Sequence, residues 1–303
     1  MKADQVFGFL LILLAIYLGV AAAGTGIDGG TDGSSPVEVA PGNGGGNGNG
    51  DGGQDGSAGN GQDGSAGNDQ DGAAGDDQSA QTTDQEPMVA NSDFCAAAPQ
   101  SSQFDDLGTA HDEAIRCMEE AEVVAGETST QFDPADAVTR GQAAMAIAAL
   151  MDTANRLEAE GVDLQELPSA DDPRFEDFKD SEANCPGQQA IARLNETPVL
   201  QGYVDSRFEP CGNVTRAQMA SMLDRTYQYL NSSGLPTGPD RFRDDDTSVH
   251  EESINAVAAA QIMEGRGDER FMPRLSVLRG QMASYLARIL IRMEDKGRIT
   301  PLP

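Results

Sequence analysis

The sequence predicts an all-α domain of three helix-loop-helix units packed together, preceded by a disordered linker rich in Gly, Asp and Asn. Three observations predict it. One unit recurs three times at fixed offsets, and each copy carries two apolar stripes at helical spacing. The stretch before the units has almost no large apolar side chains.

Taken in chain order, VFGFLLILLAIYLGVAAA (Val6 to Ala23) is an apolar run behind Lys2, ending in small residues at Ala21 and Ala23. Residues 1–23 therefore read as a secretory signal peptide if cleaved, or as a membrane anchor if retained. Either way the rest of the chain is exported. No cysteine precedes Cys95, so no lipid attachment is expected.

Residues 24–93 form an acidic low-complexity linker. Twenty of the 35 glycines fall between Gly24 and Gly75, and GQDGSAGN, GQDGSAGN and DQDGAAGD repeat in tandem from Gly53 to Asp76. Without apolar burial nothing offsets the entropy of ordering, so this is a self-repelling spacer. NGNGDG (Asn47 to Gly52) imitates the start of a calcium loop, but its twelfth position is Ala58 where a bidentate glutamate is needed.

The repeat then sets the fold. Ile115, Gly126, Phe132 and Arg140 recur as Ile191, Gly202, Phe208 and Arg216, and again as Ile254, Gly265, Phe271 and Arg279. The offsets are 11, 6 and 8 residues in every copy. Pro134, Pro210 and Pro273, then Val138, Val214 and Val277, keep the same register, and an aromatic leads each unit at Phe104, Phe178 and Phe242. The units span 95–160, 174–231 and 240–293. In each, a first helix is expected to end at the glycine, in a left-handed cap. Pro198 should cut the second of these helices short. A loop then passes through the Phe-x-Pro turn into a second helix. Thr139 with Gln142 and Thr215 with Gln218 read as capping boxes that start that helix; in the third unit Leu278 replaces the threonine, so the cap is lost or displaced. Two short helices cannot bury a core alone, so the three units should form one domain.

The Phe-x-Pro turn followed by V-T-R-G-Q or V-T-R-A-Q, six residues after a glycine, resembles the S-layer homology repeat, over about Phe104 to Leu290. His111 and His250, each four residues before the helix isoleucine, resemble the form seen in actinobacterial members. The resemblance implies a compact pseudo-threefold arrangement and non-covalent binding of secondary wall polymers in grooves between repeats. It also implies ligand-binding roles for Thr139, Arg140 and Gln142, for Thr215, Arg216 and Gln218, and for Arg279 and Gln281. Gly126, Gly202 and Gly265 join this set if ligand approaches the loop backbone. Glutamine stands where the family has glutamate, and there is no tryptophan to stack on a sugar.

An arginine in the first turn of a helix opposes the helix dipole, at a cost of a few tenths to about 1 kcal/mol. Two counter-charges are in view: acids such as Asp133, Asp136, Asp205 and Glu209, or an anionic ligand met by the guanidinium and free helix amides together. Phe132, Phe208 and Phe271 read as core anchors, and His111 and His250 as helix starters, with Gly187 in their place in unit two.

The formal net charge is −30, so nucleic acid is excluded as a natural partner. Cys95, Cys117, Cys185 and Cys211 should form disulfides in an exported chain; three connectivities exist, and pairing within a repeat, Cys95–Cys117 and Cys185–Cys211, is favoured. Two histidines and cysteines without C-x-x-C spacing give no metal site, and no cofactor is expected. No nucleophile elbow, phosphate loop or metalloprotease motif is present, so no enzyme is predicted. The expected function is non-catalytic: a bacterial surface or wall protein that binds a cell-wall secondary polysaccharide. The alternative is a self-assembly or protein-binding module meeting other surface proteins. A membrane is a partner only if the N-terminal run is uncleaved.

Overall fold

Local signals start each long helix where the sequence puts them. A computed structural model describes Val89 and residues 92–169, 185–203, 207–265 and 268–303. The N-terminal apolar run, the tandem repeats and Phe178 lie outside the described residues. Among the described residues six helices are named: α1 (Asp112–Glu120), α2 (Arg140–Arg156), α3 (Gln188–Asn195), α4 (Arg216–Asn231), α5 (Glu251–Ala259) and α6 (Arg279–Asp295). None is long and apolar enough to cross a membrane.

Thr139 Oγ1 accepts from the Gln142 amide at 3.2 Å, and Gln142 Oε1 accepts from the Thr139 amide at 2.9 Å. Thr215 and Gln218 repeat this at 3.2 and 3.1 Å. Each such cap contributes about 1 kcal/mol. At α6 half of the box survives: Gln281 Oε1 still accepts from the Leu278 amide at 3.2 Å, but leucine has no oxygen to return the bond.

The short helices do not end at the glycines. α1 stops at Glu120 and α5 at Ala259, six residues before Gly126 and Gly265. Each stop is a Schellman motif whose left-handed residue is not glycine but Glu122 or Gln261, both at φ 60°. Val123 donates to Met118 O and Glu122 to Glu119 O, while Ile262 donates to Val257 O and Gln261 to Ala258 O. Gly126 and Gly265 serve packing instead: a Cβ there would run into the rings of Phe104 and Phe242. Those rings stack at a tilt on Phe132 and Phe271, with centroids 5.4 and 5.3 Å apart. α3 stops at Asn195, ahead of Pro198.

The units pack by exchange. α1 lies against α6, α3 against α2, and α5 against α4, so each short helix packs on the long helix of the preceding unit, and the three long helices meet one another. Val138, Val214 and Val277 close the pseudo-threefold axis. The Val138 amide donates to Val277 O, Val277 to Val214 O and Val214 to Val138 O, and all three valines are fully buried. The C-terminal tail joins the first unit as well, where Thr300 donates to Leu157 O and Ala159 to Arg298 O. Disulfides join Cys95 to Cys117 and Cys185 to Cys211, with Cα atoms 5.3 and 5.4 Å apart.

Candidate functional site

Each junction between units is built from the start of one long helix and the Phe-x-Pro turn of the next unit. In the turn, Asp133, Glu209 and Met272 hold a left-handed backbone at φ 57°, 57° and 60°. This turns the carbonyls on either side toward the neighbouring helix. The Arg140 amide donates to Gly212 O and Gly141 to Pro210 O; Arg216 and Ala217 donate to Leu275 O and Pro273 O; Arg279 and Gly280 donate to Asp136 O and Pro134 O. The expectation of free helix amides awaiting an anion is therefore corrected. The first two amides of all three long helices are satisfied by carbonyls of the adjoining unit, and the threonines take the next amide in α2 and α4.

The arginines follow the same cycle. Arg140 Nε donates to Phe208 O at 2.7 Å, Arg216 Nε to Phe271 O at 2.8 Å, and Arg279 Nε to Phe132 O at 2.6 Å. Each guanidinium lies over the ring of that same phenylalanine, 4.4, 4.6 and 4.6 Å from its centroid. A second nitrogen of each reaches the carbonyl just before the repeat's glycine: Gln201 O at 3.3 Å, Glu264 O at 2.5 Å and Ala125 O at 2.8 Å. Backbone carbonyls are the partners common to all three. The third nitrogen differs: Arg216 donates to Tyr285 Oη at 2.8 Å, while Arg279 pairs with Glu127 at 2.7 Å. Burial pulls the Arg279 guanidinium below its ordinary range, with Glu127 and the nearby Asp133, Asp136 and Asp106 pulling the other way. Arginine stays charged through such a shift.

Two carboxylates that sequence reasoning passed over hold the turns. Asp106 accepts from the Phe132 and Asp133 amides at 2.9 and 2.6 Å, and Asp244 accepts from Phe271 and Met272 at 2.8 and 2.9 Å. Burial works against the Asp106 carboxylate, yet these amide bonds with the Arg279 charge keep its pKa below the ordinary range. The signal was present in the sequence, since both aspartates stand two residues after the leading phenylalanine.

His111 and His250 occupy the N-cap positions of α1 and α5, where their side chains make no cap hydrogen bond. Each imidazole Nδ1 instead meets a serine of the preceding unit's long helix, Ser284 at 2.9 Å and Ser221 at 2.8 Å. Burial, with the Arg225 and Arg140 charges, lowers the pKa of His250. In the remaining junction Gly187, at φ 108°, lets the chain pass against the Gly141 backbone, and Met145 stands where the other long helices carry serine.

Beside these contacts two clefts open. One of about 340 Å³ is lined by Gly126, Glu127, Phe132, Gln142, Met145 and Arg279. The other, of about 670 Å³, is lined by Thr215, Gln218, Ser248, His250, Arg274 and Leu275. In the first, Gln142 Nε2 and Arg279 both donate to the same Glu127 oxygen, at 2.6 and 2.7 Å. Thr139 and Gln281 sit at their caps outside the lining of either cleft, Gly265 packs on Phe242, and Gly202 is exposed.

The family model described as S-layer homology domain matches residues 103–144, 177–220 and 241–283, each match running from the leading aromatic into the first turn of the long helix. The chain carries three S-layer homology repeats. With relatives that include S-layer and cellulosome-anchoring proteins, these repeats place the chain at the cell surface or cell wall. Relatives align with the chain: a Bacillus endoglucanase is 28% identical over 179 residues, covering 58% of this chain and 17% of the endoglucanase. The cellulosome-anchoring protein of Acetivibrio thermocellus is 28% identical over 185 residues, covering 60% of this chain and 38% of that protein. The S-layer protein sap of Bacillus anthracis is 26% identical over 180 residues, covering 58% of this chain and 19% of its own length. The chain thus spans well under half the length of these relatives.

Proposed function

We propose that the protein is a non-catalytic envelope anchor that binds a cell-wall secondary polysaccharide in the clefts between its S-layer homology repeats. A cell-surface anchoring role follows from the family. Relatives named endoglucanase and uncharacterized cell wall amidase align with this chain over part of their length, which fits an anchoring module able to accompany different catalytic partners. The polysaccharide is the finer part of the reading. One observation carries it: the cleft beside Arg279 combines a buried guanidinium, an amide side chain and an apolar floor contributed by more than one repeat.

Recognition in this reading is by side chains, since the helix amides are engaged elsewhere. Glu127 is the movable element. Its side chain is 42% exposed, and an acidic sugar substituent that displaced it would take over the bonds from Arg279 and Gln142. Thr215 and Gln218 offer the corresponding polar edge in the second cleft. Thr139 and Gln281 hold the helix caps, Arg140 and Arg216 hold the junctions between repeats, and Gly126 lines the first cleft.

The test is retention of the protein on purified cell walls before and after extraction of secondary polymers. Binding that disappears on extraction supports the reading. Binding that survives extraction overturns it and favours protein-protein assembly at the surface.

A further inference from the structure

Units one and three diverge at one position, half-buried in unit one and buried in unit three. Phe104 and Phe242 lead the two units, and two residues later Asp106 and Asp244 clamp their turns. The next residue is Leu107 in unit one, packed against the core, but Asp245 in unit three. Asp245 is 0% exposed, and among the described residues neither of its carboxylate oxygens has a hydrogen-bond partner. The charged groups that bear on it most strongly are Asp240, Glu251 and Asp244, all acids. Unit three also has one extra residue here, with 12 from Phe242 to Ile254 against 11 from Phe104 to Ile115.

A buried carboxylate without a donor or counter-ion costs several kcal/mol, and further carboxylates around it add repulsion. Yet one oxygen each from Asp240, Asp245 and Asp246 lies within 4.8 Å of the others. Oxygens at that spacing can all reach one ion at about 2.3–2.6 Å. The donors are carboxylates alone, without nitrogen or sulfur, which selects a hard divalent cation.

We propose that Asp240, Asp245 and Asp246 bind a divalent, oxygen-seeking cation of the calcium type. Asp240 and Asp246 are exposed, so the ion enters from solvent and keeps water on its outer side, while Asp245 supplies the buried ligand. The ion ties the chain before Phe242 to the chain after it. Asp244, just before Asp245, and Thr247 and Ser248, just after Asp246, line the larger cleft, so the ion orders one wall of that cleft. The site stands independently of whether a polysaccharide occupies the cleft.

The experiment is calorimetric unfolding of the full chain after chelation, with calcium chloride titrated back. Saturating calcium raises Tm by roughly 5–10 °C, the size expected at about 100 times the dissociation constant. Sodium chloride at equal ionic strength does not reproduce the rise. Asp245→Leu, which installs the unit-one residue, folds without calcium and no longer responds to it. The double variant Asp240→Asn with Asp246→Asn alters only exposed positions and loses the response too, so it decides the question if Asp245→Leu fails to fold. A wild type that calcium does not shift, a shift that sodium chloride matches, or a full shift in the double variant overturns the proposal.

Discussion

Arg216 is buried at 6% exposure, with Phe271 O, Glu264 O and Tyr285 Oη as its partners and the Phe271 ring beneath it. Truncation would remove the donor to the Phe271 and Glu264 carbonyls. Arg216→Ala should therefore lower stability by about 3–5 kcal/mol, and Arg216→Lys by about half of that because the fork geometry is lost. Urea unfolding measures both, and an alanine variant within about 1 kcal/mol of wild type would contradict the carbonyl network. Loss of wall binding in such a variant reports misfolding as readily as ligand contact, so Gln142 and Gln218 are the better probes of the clefts. Asp106 carries a pH signature. Its pKa is lower folded than unfolded, so its stabilisation is complete above the unfolded value and is lost as pH falls through the folded one. Asp106→Asn should be less stable than wild type near neutrality by about 1–2 kcal/mol, and the gap should close as pH drops below about 4. The arginines were legible as a repeated feature, but their partners were not. A sequence names acids, while the carbonyls that hold Arg140, Arg216 and Arg279 become donors' targets only when the Phe-x-Pro turn of another unit is in place.

At the scale of elements, the capping boxes at Thr139 and Thr215 could be read because both partners lie within four residues. The ends of α1 and α5 could not, because Glu122 and Gln261 are poor advertisements for a left-handed cap and a glycine four residues later is a better one. That glycine answers to the ring of Phe104 or Phe242, a contact across 22 or 23 residues of chain. Gln261→Gly should raise stability by about 0.5–1 kcal/mol by relieving the left-handed backbone. Glu122→Gly should gain less, since it also removes the exposed pair with Arg156. Thermal denaturation of both variants checks the order. Reduction of the two disulfides should cost about 2–4 kcal/mol for each bond, read as a fall in the urea midpoint under reductant.

For the whole molecule, the repeat gave the number of units and their pooling into one core, but not the exchange between them. α1 packs on α6, and the C-terminal tail closes on the end of α2, so the first unit needs the last. A chain ending after Leu235 should lack a cooperative unfolding transition even though it keeps two complete repeats. A sharp, native-like transition in that truncation would mean the units are separable. The clefts were foreseen only through the family resemblance, because each is assembled from residues far apart in the chain that no local pattern connects. Whether they bind the wall is decided most directly by calorimetric titration of the soluble, extracted wall polysaccharide into the protein and into Gln142→Ala and Gln218→Ala. The account predicts saturable heat for the wild type and at least about tenfold weaker binding in variants that still unfold cooperatively, a loss of roughly 1.4 kcal/mol or more. No heat from the wild type, or variants that bind as tightly as it does, would contradict it.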